Sequence, residues 1–558
     1  MNKLTKNVTD AEERKMARRD FLKLGVLAGA GLLASRCGGT VTPQATDEVP
    51  VEATTEPTLA SSATETVATP TPAPAPRSSA VYAVSYETDT VDPHKCAGTA
   101  CQRITEHLYE GLTQFDRVGN IDPCLAESWE NPDDKTWIFH LRQGVKFHNG
   151  EELDAEDVKF SLERLVDPET AAPYASWFNA IETVDVVDKH TVKLNLNIPY
   201  TPILGALAAD AAGIVNKTWA QGLLDEGTLE FTLDAVGTGP YRLQEFIPAD
   251  HFTFVKHEDY WKEGLPHIDE VTWKVMVDLD ARVAGLRSGT IDFAELDDVA
   301  YSLLENDDGV AVHSLQGFSN RCAFINCERE PFTDVRVRQA ISKALDRQEM
   351  IDKLAGGYGQ LTGTLSTGWA EYYIPVDELP YDVDIEGAKA LLAEAGFPNG
   401  FDCTILTLTP LPYSQIPTVM QAQLAKAGIN AEILVLETGT WLDKIHEFDY
   451  DIHVNGYRFN YDPDAILGRN FVCGSEANFG VWCNEEYDQL RLEAVATSDV
   501  AKRKEIYHRM QKMILEEVPI LSLWVGYDFY GTSKRLKGFE PSKTQRYKNV
   551  FAEAYTEA

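Results

Sequence analysis

From about residue 80 to the end, segments patterned for strands alternate with segments patterned for helices, and no tandem repeat of 20–50 residues runs through them. That order confines the chain to an α/β or α+β architecture, because each helix and strand must bury an apolar face against a partner. Val192, Leu194, Leu196 and Ile198 alternate with polar residues and define one face of a sheet. Asp154 is placed to cap a helix over 155–166, in which Val158, Leu162 and Leu165 share a stripe. A helix is expected from about 334 to 354, with Val337, Ile341, Ala344 and Leu345 on one face and Gly356-Gly357 ending it. Ala388, Leu391, Leu392 and Ala395, followed by Gly396 and Pro398, mark another. Two helix-to-strand steps follow, 416–427 into 431–437 past Gly428, and 503–517 into 520–525.

At 558 residues the chain has room for three or four domain-sized units, and 44% hydrophobic with 25% charged residues is ordinary globular composition. The net charge of −37 disfavours binding to phosphate backbones and anionic lipid headgroups and steers in cationic or zwitterionic small ligands. Residues 1–36 hold eight Lys/Arg against four Asp/Glu, so a product starting at Cys37 would be more acidic still.

Arg18-Arg19-Asp20-Phe21-Leu22-Lys23 followed by the apolar run Leu24 to Ala34 resembles a twin-arginine export signal, and the run is too short to span a bilayer. Cys37 stands where bacterial lipoproteins carry their acylated cysteine, although Arg36 occupies a place normally held by Gly, Ala or Ser. A lipid anchor on Cys37 is the expectation. Residues 38–79 contain seven Pro, ten Thr and no aromatic residue, a composition unable to bury a core, and are expected to be a tether. Eight further cysteines permit disulfides in an exported chain. Cys473 and Cys483 flank a short polar loop and are expected to pair. Cys96 can reach Cys101 only if 97–100 turns, and Cys322 and Cys327 are held apart by a strand.

The parts of an exported hydrolase do not assemble in the sequence: it lacks a G-x-S-x-G elbow, an H-E-x-x-H pair, a P-loop and a Gly-rich dinucleotide turn. His251, His257 and His267 read as surface histidines rather than metal ligands, so no metal and no cofactor is expected. Asp297-Asp298 and Asp307-Asp308 read as solvated loops.

Many short stretches in one order carry a resemblance. They include Thr90-Val91-Asp92-Pro93-His94, Leu108-Tyr109-Glu110-Gly111-Leu112, Pro123 through Trp129, Trp137 through Val158, Gly237-Thr238-Gly239-Pro240-Tyr241, Tyr260-Trp261, Phe332 through Ala340 and Leu391 through Phe397. Over about residues 81–550 the chain resembles extracellular solute-binding protein family 5, the dipeptide, oligopeptide and nickel receptors of ABC importers. The resemblance implies an α/β, type II periplasmic-binding-protein clamp of two lobes, with mixed sheets and an inserted third domain. By it, 1–37 is the signal, 38–80 the linker, 81–109 with 217–318 and 525–558 lobe I, 110–216 the insert and 319–524 lobe II, with two chain crossings as the hinge. It implies a monomer, lipid-tethered to the outer face of the membrane (periplasmic or extracellular), that hands a small-molecule or peptide ligand to an ABC permease and ATPase complex.

Family positions carry over to Ala97, Gly98 and Thr99 as a segment pairing with an extended ligand, to Tyr174 as an insert residue reaching the cleft, and to Trp441 as a pocket wall. They also carry over to Asn455, Gly456, Tyr457, Arg458 and Phe459, which run beside the ligand, with Asp462-Pro463 as a turn. Trp441 reads equally as core. Peptide receptors place an aspartate for the ligand ammonium four residues before that proline, and here the position is Phe459, preceded by Arg458. The expectation is therefore a non-enzymatic receptor for a peptide-like or other small polar solute. Arg458 would be offered to a carboxylate or phosphate, unless it pairs with Asp451 or Asp462, and Phe459, Tyr457 and Trp441 to sugar faces or apolar groups. A secreted hydrolase, and a sugar-specific or sensory binding protein on the same clamp, are the alternatives.

Overall fold

Two long strands, Val310–Ile325 and Ile520–Ser533, run antiparallel through the centre of an eleven-stranded sheet and belong to both of its ends. The computed structural model describes residues 78–557 except 86, 87, 89, 97, 226–234, 364–371, 410–412, 458–461 and 545–547. All of them lie in one compact unit, Ala75–Ala558. The expected signal, Cys37 and the tether to residue 77 fall outside the described residues.

On one side of the central pair lie Phe293–Leu296, Ser79–Val84, Glu270–Val275, His251–Lys256 and Tyr241–Ile247, in that order. Ser79–Val84 runs parallel to both Glu270–Val275 and Phe293–Leu296. On the other side lie Ile452–Tyr457, Phe401–Leu408 and Ile429–Leu436, with Phe401–Leu408 parallel to both of its neighbours. A second sheet of four antiparallel strands, Ala126–Asp133, Thr136–Leu141, Thr191–Leu196 and Ile181–Asp188, builds its own core around Phe139, Phe147, Leu162 and Phe178. Ile198 lies past the end of its strand and is exposed.

Local signals explain most boundaries. Asp154 accepts from Glu156 N and Asp157 returns a bond to the Asp154 N–H, a reciprocal cap that starts the helix Ala155–Val166. The helix expected over 334–354 is instead two, Val335–Ala344 and Arg347–Leu354. Leu345 is extended, and Asp346 caps the second helix by accepting from Glu349 N at 2.9 Å, a start signal hidden inside a continuous apolar stripe. The strand expected over 520–525 continues to Ser533.

Where the long strands cross from one half of the sheet to the other, their register breaks: Gln316 faces Tyr527 and Asn320 faces Val525, so Gly317, Phe318 and Ser319 oppose Gly526 alone. Gly526 also pairs with Gly359 on its other edge. A methyl group added to Gly317 would lie 2.1 Å from Asp528 Oδ2.

Several of the resemblance-bearing motifs meet at one seam between the four-stranded sheet and the first half of the large one, whereas Phe332 through Ala340 and Leu391 through Phe397 pack in the core of the second half. Arg164 of the capped helix donates two bonds to the buried Asp92, at 3.0 and 2.6 Å, and its Nη1 lies 2.7 Å from His94 Nδ1. His94 Nε2 lies 3.0 Å from Gly213 O. With Nδ1 facing a guanidinium, the ring donates from Nε2, and burial holds its pKa down to about 4 despite Asp92. Nearby, the Glu110 carboxylate accepts from Tyr260 Oη at 2.9 Å, Trp261 Nε1 at 2.7 Å and Thr238 Oγ1 at 3.1 Å. Gly239 lies so close to the helix Thr99–Leu108 that an added Cβ would be 2.3 Å from His107 O. His148 and His257 meet edge to face at 4.9 Å beneath it. His251 bonds Asp250 and Glu245 near the surface, whereas His257, expected at the surface, is buried with its Nδ1 3.2 Å from Gly239 O.

Candidate functional site

In both halves of the large sheet the parallel strands end toward the central crossing. Parallel strands bind ligands at their carboxyl edge, where successive connections leave to opposite faces. In the second half that point lies between Phe401–Leu408 and Ile452–Tyr457. The chain leaves Leu408 for the helix Ile416–Leu424, which packs with Ile405 and Ile429, whereas Trp441 and Ile445 of the helix Thr438–His446 pack with Leu406 and Tyr450.

A cleft of about 490 Å³, within the size range of small-ligand sites, opens beside the central crossing and is lined by neither Phe401–Leu408 nor Ile452–Tyr457. The first half contributes Arg103, Glu295, Asp297 and Asp298, the second half Arg321 and Gln415, and the crossing strand Gly526 through Tyr530. Arg103 and Glu295 form a partly buried ion pair at 3.7 Å. Asp297 is occupied as a helix cap, accepting from Ala300 N at 2.7 Å. Arg321 is opposite Gly456 in the ladder, and its guanidinium carbon lies 5.2 Å from the Tyr413 ring centre. Tyr413 is held from behind, its carbonyl accepting from Thr407 Oγ1 at 2.8 Å, and its hydroxyl covers Gly456.

Of the expected ligand residues, Asn455 and Gly456 sit half-buried at this carboxyl edge, next to Arg321 and Tyr413. Gly98 is exposed and precedes the helix Thr99–Leu108, which carries Arg103. Ala97, Arg458 and Phe459, and the side chains of Thr99 and Tyr457, lie outside the described residues. Tyr174 packs on Trp177 at 4.4 Å, beside a second cavity of about 550 Å³ between the four-stranded domain and the helix Asp464–Asn470. Trp441 is 5% exposed, packed with Leu406, Ile445 and Tyr450, and its ring lies 5.7 Å from that of His453. It does not line the cleft.

Asp462 is buried, with Arg503 Nη2 at 2.8 Å and Tyr507 Oη at 3.2 Å, and accepts from Asp464 N at 2.9 Å, the geometry of a structural turn. Asp451 accepts from Thr404 N and Oγ1. Cys473 pairs with Cys483 and Cys96 with Cys101, while Cys322 and Cys327 do not pair. Among the described residues no group of three His, Cys, Asp or Glu side chains is arranged to hold a metal, and no helix is long and apolar enough to cross a membrane.

The sequence reading missed Arg321, Tyr413, Arg103 and Glu295. One signal was available for Arg321: it is a charge at the head of the apolar run Cys322 to Ile325.

A sheet with two parallel-edged halves, joined through one antiparallel strand pair beside a ligand-sized cleft, defines the type II periplasmic binding protein class. The family model for bacterial extracellular solute-binding proteins, family 5 (middle region), matches residues 120–478, and the chain belongs to that family. Its role is that of a periplasmic or extracellular solute-binding receptor. It is 32% identical over 459 residues to di/tripeptide-binding protein 1 of Pseudomonas aeruginosa, covering 76% of this chain and 84% of that one. Among solved structures it is similar to the ABC transporter-associated DppA of Helicobacter pylori in complex with the peptide STSA, with TM-score 0.77, 26% identity, and coverage of 86% of this chain and 99% of that one. It is similarly close to the binding protein AgaA of A. tumefacien R10 in complex with agropinic acid, with TM-score 0.74, 28% identity and the same coverage.

Proposed function

We propose that this receptor captures a small polar solute in the cleft between two lobes and passes it, unaltered, to the permease and ATPase of an ABC importer. Lobe I is 81–109, 217–318 and 525–558, lobe II is 319–524 and the insert is 110–216. The carrying observation is the broken register at 317–319 opposite Gly526, which lies beside the cleft in both strands that connect the lobes. A break of three residues against one removes ladder bonds where bending must occur, leaving paired strands on either side. Solute binding then shifts the clamp toward closure, and a shift from 1:99 to 99:1 needs about 5.5 kcal/mol of differential affinity.

The solute class is peptide-like to acidic. Relatives named for di- and tripeptides and a structural neighbour holding agropinic acid mark that range. Phe459 in place of an aspartate removes the usual partner of a ligand ammonium. The chain works as a monomer, tethered through a lipidated Cys37 and the 38–80 linker.

Small-angle scattering with and without a pooled set of di- and tripeptides, opines and sugar acids tests the reading. The expected result is a smaller radius of gyration and a raised Tm with at least one class. An unchanged radius with every class, or release of a cleaved product from any of them, overturns it.

A further inference from the structure

The cleft's charges are unequally satisfied. Arg103 has Glu295 at 3.7 Å, and Lys353, on the rim, bonds Glu349 at 2.6 Å. Arg321 has no carboxylate within ion-pair distance among the described residues. Its one recorded side-chain partner is the Tyr413 ring. A guanidinium over a phenol ring gains a cation–π contact that leaves its five N–H donors, all in the guanidinium plane, available to an acceptor. Such a group forms its strongest bonds with a planar two-oxygen acceptor. The ladder fixes where it stands: opposite Gly456, at the carboxyl edge of Ile452–Tyr457, facing the opposite wall that carries Glu295, Asp297 and Asp298.

Resting on the reading that the solute occupies this cleft, we infer that Arg321 is a specificity-determining residue that takes a carboxylate of the solute, so that the receptor selects acids over their neutral analogues. A carboxylate suits the site better than a phosphate. The facing wall is acidic and the chain carries −37, so a single negative charge spread over a planar group meets Arg321 with less repulsion than a dianion would. Tyr413 acts through Arg321, fixing the plane of the fork.

The test uses the full chain, incubated with pairs of dipeptides, N-acyl amino acids and sugar acids, each acid mixed with its primary amide. Bound solute is recovered by gel filtration and identified by mass spectrometry, and Tm is recorded for each protein. Wild type is expected to retain the acid at least tenfold over its amide. In Arg321→Gln the preference falls below threefold with Tm unchanged, and Arg321→Lys, which keeps the charge without the fork, falls between. Equal retention of acid and amide by wild type, or a preference that survives in Arg321→Gln, overturns the inference. Retention of neither member of any pair by wild type instead counts against the proposed solute class on which it rests.

Discussion

Replacing Arg164 with methionine removes the side chain that ties the four-stranded domain to the first half of the large sheet. Three contacts go at once: two bonds to Asp92 at 3.0 and 2.6 Å, and one to His94 at 2.7 Å. The Asp92 side chain is fully buried, so the variant leaves a carboxylate with no counter-charge at that seam. Breaking a buried pair from one side costs about 3–5 kcal/mol, mostly the penalty of the abandoned charge. At about 1.4 kcal/mol per tenfold, local opening should become about two to three and a half orders of magnitude more frequent. A chain with several cores need not unfold in one step, so the readout is hydrogen exchange in peptides covering 90–109 and 155–166. A companion variant, Arg164→Met with Asp92→Asn, removes the stranded charge and should recover at least half the effect. Exchange within tenfold of wild type in the single variant would refute the argument, as would a double variant no better than the single.

Three further outcomes are expected. His94 is buried and His148 half-buried, and both are held down to about 4, in each case chiefly by loss of hydration. The unfolded rings take up protons from about pH 6.5 downward while the folded rings refuse them, so stability should fall as pH drops from 6.5 to 4, by up to about 3 kcal/mol per ring. Denaturant midpoints across that window should show a shallower slope in His94→Gln, and an identical slope would contradict it. Gly239→Ala places a Cβ 2.3 Å from a backbone oxygen rather than a flexible side chain, and should lower Tm by several degrees, whereas no change would show that the seam can open at no cost. Cys473→Ser with Cys483→Ser releases a closed loop of 10 residues and should cost about 2–3 kcal/mol, read as loss of resistance to proteolysis in 470–484.

The legible part of the fold was the part written in local chemistry. Asp154 before an apolar stripe and Gly428 between helix and strand mark their boundaries by side chain and backbone preference alone. Asp346 went unread because Leu345 continues the apolar stripe across the break and its extended backbone leaves no trace in the pattern. The second long strand was cut short at Val525 because Gly526 and Asp528 interrupt its alternation, and these residues sit at the crossing, where the partner strand, not propensity, sets the pairing. Asp92, His94 and Glu110 were visible as motif residues, yet their joint task at one seam depends on partners 72, 70 and 128 to 151 positions away. Arg321 and Tyr413 escaped for the same reason, being neighbours only once the sheet has formed.

Because Val310–Ile325 and Ile520–Ser533 stay bonded to each other on both sides of the break, neither connection can lengthen or turn without the other. If the lobes move as proposed, the walls part like the covers of a book about one spine, rather than slide past each other. Entry and escape then share a single rim on the side away from Gly526. Residues on that rim set how large a molecule gets in, while those near the spine, Arg321 among them, decide which of the admitted molecules stays.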